Sequence, residues 1–116
     1  MRNMSFSLTV EQMRNRTKTV TRRLGWKFLN PSDLIQPVIK GQGLKRGERV
    51  QKIGTPILIV STHPEQIKHI SQEDVRKEGF PNWTPKQFVH FFCQHNHCEP
   101  NTIVNVIEFE FQENTR

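Results

Sequence analysis

The sequence predicts an α+β fold, a small β-barrel of about five to six strands with three short helices packed around it. Three observations lead there. Apolar runs of strand length recur along the chain, the longest aliphatic one being Ile57-Leu58-Ile59-Val60. Capping residues mark three helix starts, at Thr9, Ser71 and Thr84. Strands and helices do not alternate at βαβ spacing, which argues against a doubly wound sheet and for antiparallel pairing.

Taken in order, Met4 to Leu8 alternate weakly and read as a first strand. Thr9 and Gln12 form a capping box, so Val10 to Asn15 follows as a short helix with Val10 and Met13 on one face. Lys18 to Leu24 is a basic strand. Gly25 to Gly47 reads as a long irregular stretch, with turns at Asn30-Pro31 and Ser32-Asp33 and with Gly41 and Gly43 flanking a glutamine. Arg49 to Ile53 is read as a strand broken by Gly54-Thr55-Pro56. Ile57 to Thr62 is the most apolar strand and the expected centre, ended by His63-Pro64, with a further short strand over Glu65 to Ile70.

Ser71 and Asp74 cap a helix over Gln72 to Glu78, which Gly79 stops. A carboxylate at the end of a helix is locally unfavourable, and Glu78 is singled out for that reason. Thr84-Pro85-Lys86-Gln87 opens the third helix, predicted to end near Gln94. Its Phe88, Phe91 and Phe92 form an apolar stripe assigned to core packing. Thr102 to Phe111 is the clearest strand, with Ile103, Ile107, Phe109 and Phe111 on one face. Residues 112–116 read as a polar tail. One domain over 1–116, with its core over about 5–111, accounts for the chain.

The composition narrows the function. The 116 residues hold no Tyr but eight Phe and two Trp, enough to anchor one modest core. No apolar run is long enough to cross a bilayer and the first twenty residues lack an apolar signal core, so a cytoplasmic protein without a membrane partner is expected. No obligate protein partner is evident. The net charge of +6 is uneven: residues 1–52 carry +9 and residues 53–116 carry −3. Such asymmetry suits an anion, with nucleic acid the common partner.

Arg16-Thr17-Lys18-Thr19-Val20-Thr21-Arg22-Arg23 concentrates four cations and three hydroxyls in eight residues. A lysine that is desolvated becomes a base able to activate a neighbouring hydroxyl. A basic edge strand that deters aggregation is the competing reading. Trp26 follows the basic strand and is placed to stack on a base or to staple its loop. His90, Cys93, His95, His97 and Cys98 are metal-ligand types, but no second cluster supports them; no metal or other cofactor is assigned, and Cys93 reads as a small buried hydrophobe. No GxGxxG, P-loop, HExxH or GxSxG motif occurs.

Four pieces occur in a fixed order: Lys18-Thr19-Val20-Thr21-Arg22-Arg23, Gly47-Glu48, Ile70-Ser71-Gln72-Glu73-Asp74-Val75-Arg76-Lys77-Glu78-Gly79-Phe80, and Val106-Ile107-Glu108-Phe109. This ordered set resembles the ASCH domain family, relatives of the PUA RNA-binding fold, in its small stand-alone bacterial and phage form. Glu48 departs from the family's Asp in the second piece. The resemblance implies a PUA-like β-barrel with a cleft beside the basic strand. It implies RNA or modified-nucleoside binding, and in one branch an amidohydrolase acting on N4-acetylcytidine. That branch's catalytic set matches Lys18, Thr21 and Glu78, and the strand arginine matches Arg23. Strand alternation would turn Lys18 and Thr21 to opposite faces, so the set requires Lys18 in the turn before the strand or a bulge between them, and Thr19, on the same face as Thr21, is an alternative nucleophile. Arg16, Thr19, Arg22, Arg23 and Trp26 are the expected binding residues. A non-catalytic RNA-binding module and a ribonuclease using the same basic cleft are the alternatives.

Overall fold

In the computed structural model, which describes residues 1–41 and 44–113, the chain forms an α+β domain on a five-stranded mixed sheet. The strands are β1 (Arg2–Ser5), β2 (Val20–Arg23), β3 (Leu34–Val38), β4 (Ile57–Gln66) and β5 (Ile103–Phe111), and the α-helices are α1 (Val10–Arg14), α2 (Gln72–Lys77) and α3 (Pro85–Asn96). The sheet order is β1-β3-β4-β5-β2. β1 runs parallel to β3 and the other pairings are antiparallel. With β1 and β2 at its two edges the sheet stays open among the described residues, where the sequence predicted a closed barrel.

β5 is an inner strand, paired with the edge strand β2 on one side and with all but one residue of the central strand β4 on the other. Ile107 and Phe109 are buried on one face, and Val104 and Val106 on the other. Two cores result. Met4, Phe6, Met13, Ile35, Ile57, Ile59, Ile107 and Phe109 form the larger. Ile67, Ile70, Val75, Phe88, Phe92 and Val104 form the second, which seats α2 and α3.

Several boundaries differ from expectation. β1 covers Arg2–Ser5, so Phe6 to Leu8 leave the strand. The stretch expected to be irregular contains β3, whose Pro37 is paired with Met4 of β1. Of the segment 49–53 there remains an isolated bridge between Lys52 and Val38. β4 runs through His63-Pro64 to Gln66, with a bulge between Ile59 and Ser61, and a 3-10 turn over Ile67–His69 replaces the strand expected there. β3 pairs with β4 only at Ile57 and Leu58, so Pro64 lies where β4 has β5 alone as partner, an edge position of the kind that accepts proline. Gln42, Gly43 and residues 114–116 lie outside the described residues.

The capping signatures fare unequally. Ser71 Oγ accepts from Asp74 N at 3.1 Å, and Thr84 and Gln87 form a reciprocal capping box. Thr9 makes no side-chain cap. Gln12, its expected capping-box partner, instead donates its amide to the Gly79 carbonyl at 3.3 Å, joining α1 to the end of α2. Gly79 has φ +106°, and a Cβ there would stand 2.6 Å from Gln12 Cγ. Gly79→Ala combines a left-handed backbone with that contact and is expected to cost about 1–2 kcal/mol or more. Urea unfolding of the variant measures this.

Candidate functional site

Lys18 enters the site from the turn before β2 rather than from the strand. After α1, Arg16 takes a left-handed backbone at φ 59°. The next amides return to α1, Thr17 N and Lys18 N both donating to the Gln12 carbonyl, while Thr19 N donates to Lys77 O of α2 at 2.8 Å. This is the geometry that lets Lys18 and Thr21 border one cleft despite strand alternation.

The cleft has a volume of about 190 Å³. Its polar floor consists of Lys18, Thr21, Arg22, Arg23 and Glu78, and Phe80, Phe88, Phe91 and His95 contribute an aromatic side. Residues Ser5 to Thr9 also line it. The floor is unusual for ionisable groups: Lys18, Thr21 and Arg22 are each 3 % exposed and Glu78 is 2 % exposed.

Glu78, the residue after α2, is shared between two cations. Lys18 Nζ donates to Glu78 Oε1 at 2.6 Å and to the Glu78 carbonyl at 3.0 Å. Arg22 Nη1 donates to Glu78 Oε2 at 3.2 Å. The unfavourable carboxylate at a helix end is thus offset by an ammonium that also caps the helix's last carbonyl. Arg22 Nη2 donates in addition to Glu65 Oε1 at 2.9 Å and Asp74 Oδ2 at 2.6 Å. Arg23 Nε donates to Thr21 Oγ1 at 3.1 Å, and its guanidinium lies 4.7 Å from the Phe6 ring centroid.

Burial is the largest influence on Lys18 and pushes its ammonium below its ordinary 10.5; Glu78 opposes this, and Arg23 and Arg22 reinforce it. Burial also lowers Arg23, to about 10, which leaves it charged at neutral pH. For Arg22 the same burial is outweighed by Glu78, Asp74 and Glu65, and its value is raised.

The other expected binding residues lie elsewhere. Thr19 is half-buried and absent from the cleft lining. Arg16 is exposed, with Nη2 3.4 Å from the Gln112 carbonyl it donates to. Trp26 packs against the larger core and tilts on Phe28 at 5.3 Å. The sequence reading passed over the aromatic side. The stripe of α3 does fill the second core through Phe88 and Phe92, but Phe91 also meets Phe80 at 5.5 Å and His95 at 4.5 Å. A histidine four residues after Phe91 was the available signal. Glu65 and Asp74 carried no local signal, because their partner is distant in sequence.

Among the described residues no group of three or more His, Cys, Asp or Glu side chains is arranged to hold a metal ion. Cys93 and Cys98 are half-buried free thiols, and burial and the neighbouring Cys98 push the Cys93 thiol up to about 11. Among the described residues no helix is long and apolar enough to cross a membrane.

No family model matches the sequence, and no curated protein matches it. Solved structures do resemble it. The ASCH domain from Lactobacillus crispatus JV V101 aligns with a TM-score of 0.60 at 15% identity, over 94% of this chain and 77% of that one. The hypothetical protein PH0355 aligns with a TM-score of 0.62 at 16% identity, over 94% of both chains. Protein EF3133 from Enterococcus faecalis V583 aligns with a TM-score of 0.63 at 12% identity, over 99% of this chain and 84% of that one. The chain therefore has an ASCH-like fold.

Two outcomes follow from the buried pair. Glu78→Ala leaves Lys18 and one nitrogen of Arg22 without their carboxylate and is expected to destabilise the protein by about 3–5 kcal/mol in denaturant unfolding. The lowered Lys18 value also gives a sign for pH. Between that value and 10.5 the unfolded chain binds more protons than the folded one, so this contribution to stability grows as pH rises and is lost as pH falls through the folded value. Lys18→Met is expected to flatten that slope when unfolding is followed across alkaline pH.

Proposed function

We propose that this protein is an amidohydrolase that removes an acyl group from a modified nucleoside of the N4-acetylcytidine type. Thr21 is the nucleophile, Lys18 its general base, and Glu78 orients Lys18 and exchanges a proton with it. The observation that carries this reading is the buried Lys18–Glu78 pair, 2.6 Å apart, in the floor of the cleft that Thr21 also lines.

Neutral Lys18 accepts the hydroxyl proton as Thr21 Oγ1 attacks the acyl carbonyl. The C–N bond breaks, the proton passes to the departing amine, and an acyl-threonine remains. Water then attacks that ester with Lys18 again as base, releasing acetate. A lysine near ~10.4 is a poor base at neutral pH, and the burial that lowers Lys18 supports the role. Arg23 Nε–H, already on Thr21 Oγ1, favours negative charge on that oxygen.

The aromatic side of the cleft, Phe80, Phe91 and His95, suits the π-face of a nucleobase. At about 190 Å³ the cleft is smaller than the roughly 300–1,000 Å³ of pockets for drug-sized ligands. That favours a single base with its acyl group over a folded RNA element.

A second reading, an RNA-binding module, rests on a different observation. The connection between β3 and β4 exposes Lys40, Lys45, Arg46, Arg49 and Lys52, with Glu48 as the acid among them. A phosphate-bound polymer would lose affinity steeply with salt, whereas turnover of a neutral nucleoside would not.

Turnover of N4-acetylcytidine, followed by cytidine release, tests the first reading. The wild type is expected to turn over, with a rate that rises with pH through the lowered Lys18 value and then levels. Lys18→Ala is expected to lose at least about 10²-fold in kcat/KM. A folded Lys18→Ala protein of full activity would remove Lys18 from the mechanism. Absence of wild-type turnover, joined to salt-dependent RNA binding, would favour the module.

A further inference from the structure

One nitrogen of Arg22 has no acceptor among the described residues. Its Nη1 donates one hydrogen to Glu78, and its Nη2 donates to Glu65 and Asp74. Its Nε is buried and has no hydrogen-bond partner among the described residues. An N–H without an acceptor in a protein interior is costly and uncommon. Here the side chain is fixed by three carboxylates and belongs to a residue that lines the cleft beside Lys18, Thr21 and Glu78. The bare N–H is a donor held in place before any ligand arrives.

The charge around it restricts the acceptor. Three cations, Lys18, Arg22 and Arg23, are gathered here with three carboxylates, Glu65, Asp74 and Glu78. Counting Glu65 and Asp74, which hold Arg22 from outside the cleft lining, the charges at and just behind the floor balance, although residues 1–52 as a whole carry +9. A balanced floor gives a phosphate little attraction and would charge it for leaving water. A neutral carbonyl oxygen loses little water and satisfies the donor.

We infer that Arg22 Nε–H is a substrate-contacting donor to a neutral carbonyl oxygen of the bound nucleobase derivative, so that the cleft selects a nucleoside over its phosphorylated form. This rests on the reading of the cleft as a nucleoside site. It adds to the Lys18, Thr21 and Glu78 set a residue that acts in recognition, and it makes the carboxylates of Glu65 and Asp74 positioning groups that hold Arg22.

Nitrogen-15 NMR of the wild-type protein tests this directly. The probes are cytidine and its 5′-monophosphate, which keep the neutral ring carbonyl and carry no acyl group to be removed during the titration. The backbone amides of Phe91 and His95 report occupancy of the cleft, and the Nε–H signal of Arg22 reports the contact. With the nucleoside, all three are expected to shift along one saturation curve, and the monophosphate is expected to bind no more tightly. Saturation of Phe91 and His95 with Arg22 Nε–H unmoved would overturn the inference alone, as would tenfold tighter binding of the monophosphate. No saturable shift in any of the three would overturn the nucleoside reading and the inference together. Arg22→Lys keeps a cation among the carboxylates but lacks the Nε–H, and is expected to bind the nucleoside about tenfold more weakly. Unchanged affinity in that variant would overturn the inference, and the wild-type measurement decides if the variant does not fold.

Discussion

The Glu78 carboxylate, buried and divided between Lys18 and Arg22, is the constraint on which the site depends. A lone carboxylate could not remain ionised at 2 % exposure without partners of this kind. Each partner comes from a different place: Lys18 from the turn after α1, Arg22 from β2, and Glu78 from the end of α2. The pair therefore does more than satisfy a charge. It holds a six-residue helix, too short to be stable by itself, against an edge strand and a turn. The backbone bond from Thr19 N to Lys77 O reinforces the same junction.

The rest of the cleft follows from the two cores. The larger core fixes β1 and the segment Phe6 to Thr9 that borders one part of the opening. The second core seats α3, whose Phe88 and Phe92 fill that core and, with Phe91 and His95, line the cleft. A polar floor meets an aromatic side because β5 is buried on both faces and carries a core on each. The arrangement joins one group of fixed donors and acceptors to one π-surface, the combination expected for a flat, oxygen-bearing ring.

Legibility in the sequence followed the range of the interactions. α3 was readable because Thr84, Pro85 and Gln87 specify its start locally, and β5 because its alternation runs through nine residues. The α2 cap and its stop at Gly79 were readable for the same reason. β3 was not, since Gln36 and Pro37 suit a strand only when β1 lies alongside in parallel. The continuation of β4 through Pro64 was hidden for a related reason, depending on which neighbour that end of the strand lacks. The sheet is open rather than a barrel because its edge strands β1 and β2 do not pair with each other among the described residues, a long-range feature that no single segment reveals. At the site, Glu78 was marked by its charge at a helix end and Lys18 by its hydroxyl neighbours, and the resemblance joined them with Thr21. Chemistry set the condition that Lys18 sit before the strand, and the fold meets it. Thr9 shows the limit of local rules: its capping box gave way when Gln12 found a distant carbonyl.

The position of β5 in the sheet has a consequence for how the chain acquires its structure. Val20 of β2 is paired with Glu108, and Gln66 of β4 with Ile103. Both neighbours of β5 are thus synthesised well before it, and β2 must wait for a partner more than eighty residues away. Pairings so distant in sequence slow folding, because loop closure precedes any gain from contact. Until β5 is made, β2 has no ladder partner, and its two arginines favour water over burial. The charges that the native protein buries are in this way what keeps the nascent edge soluble.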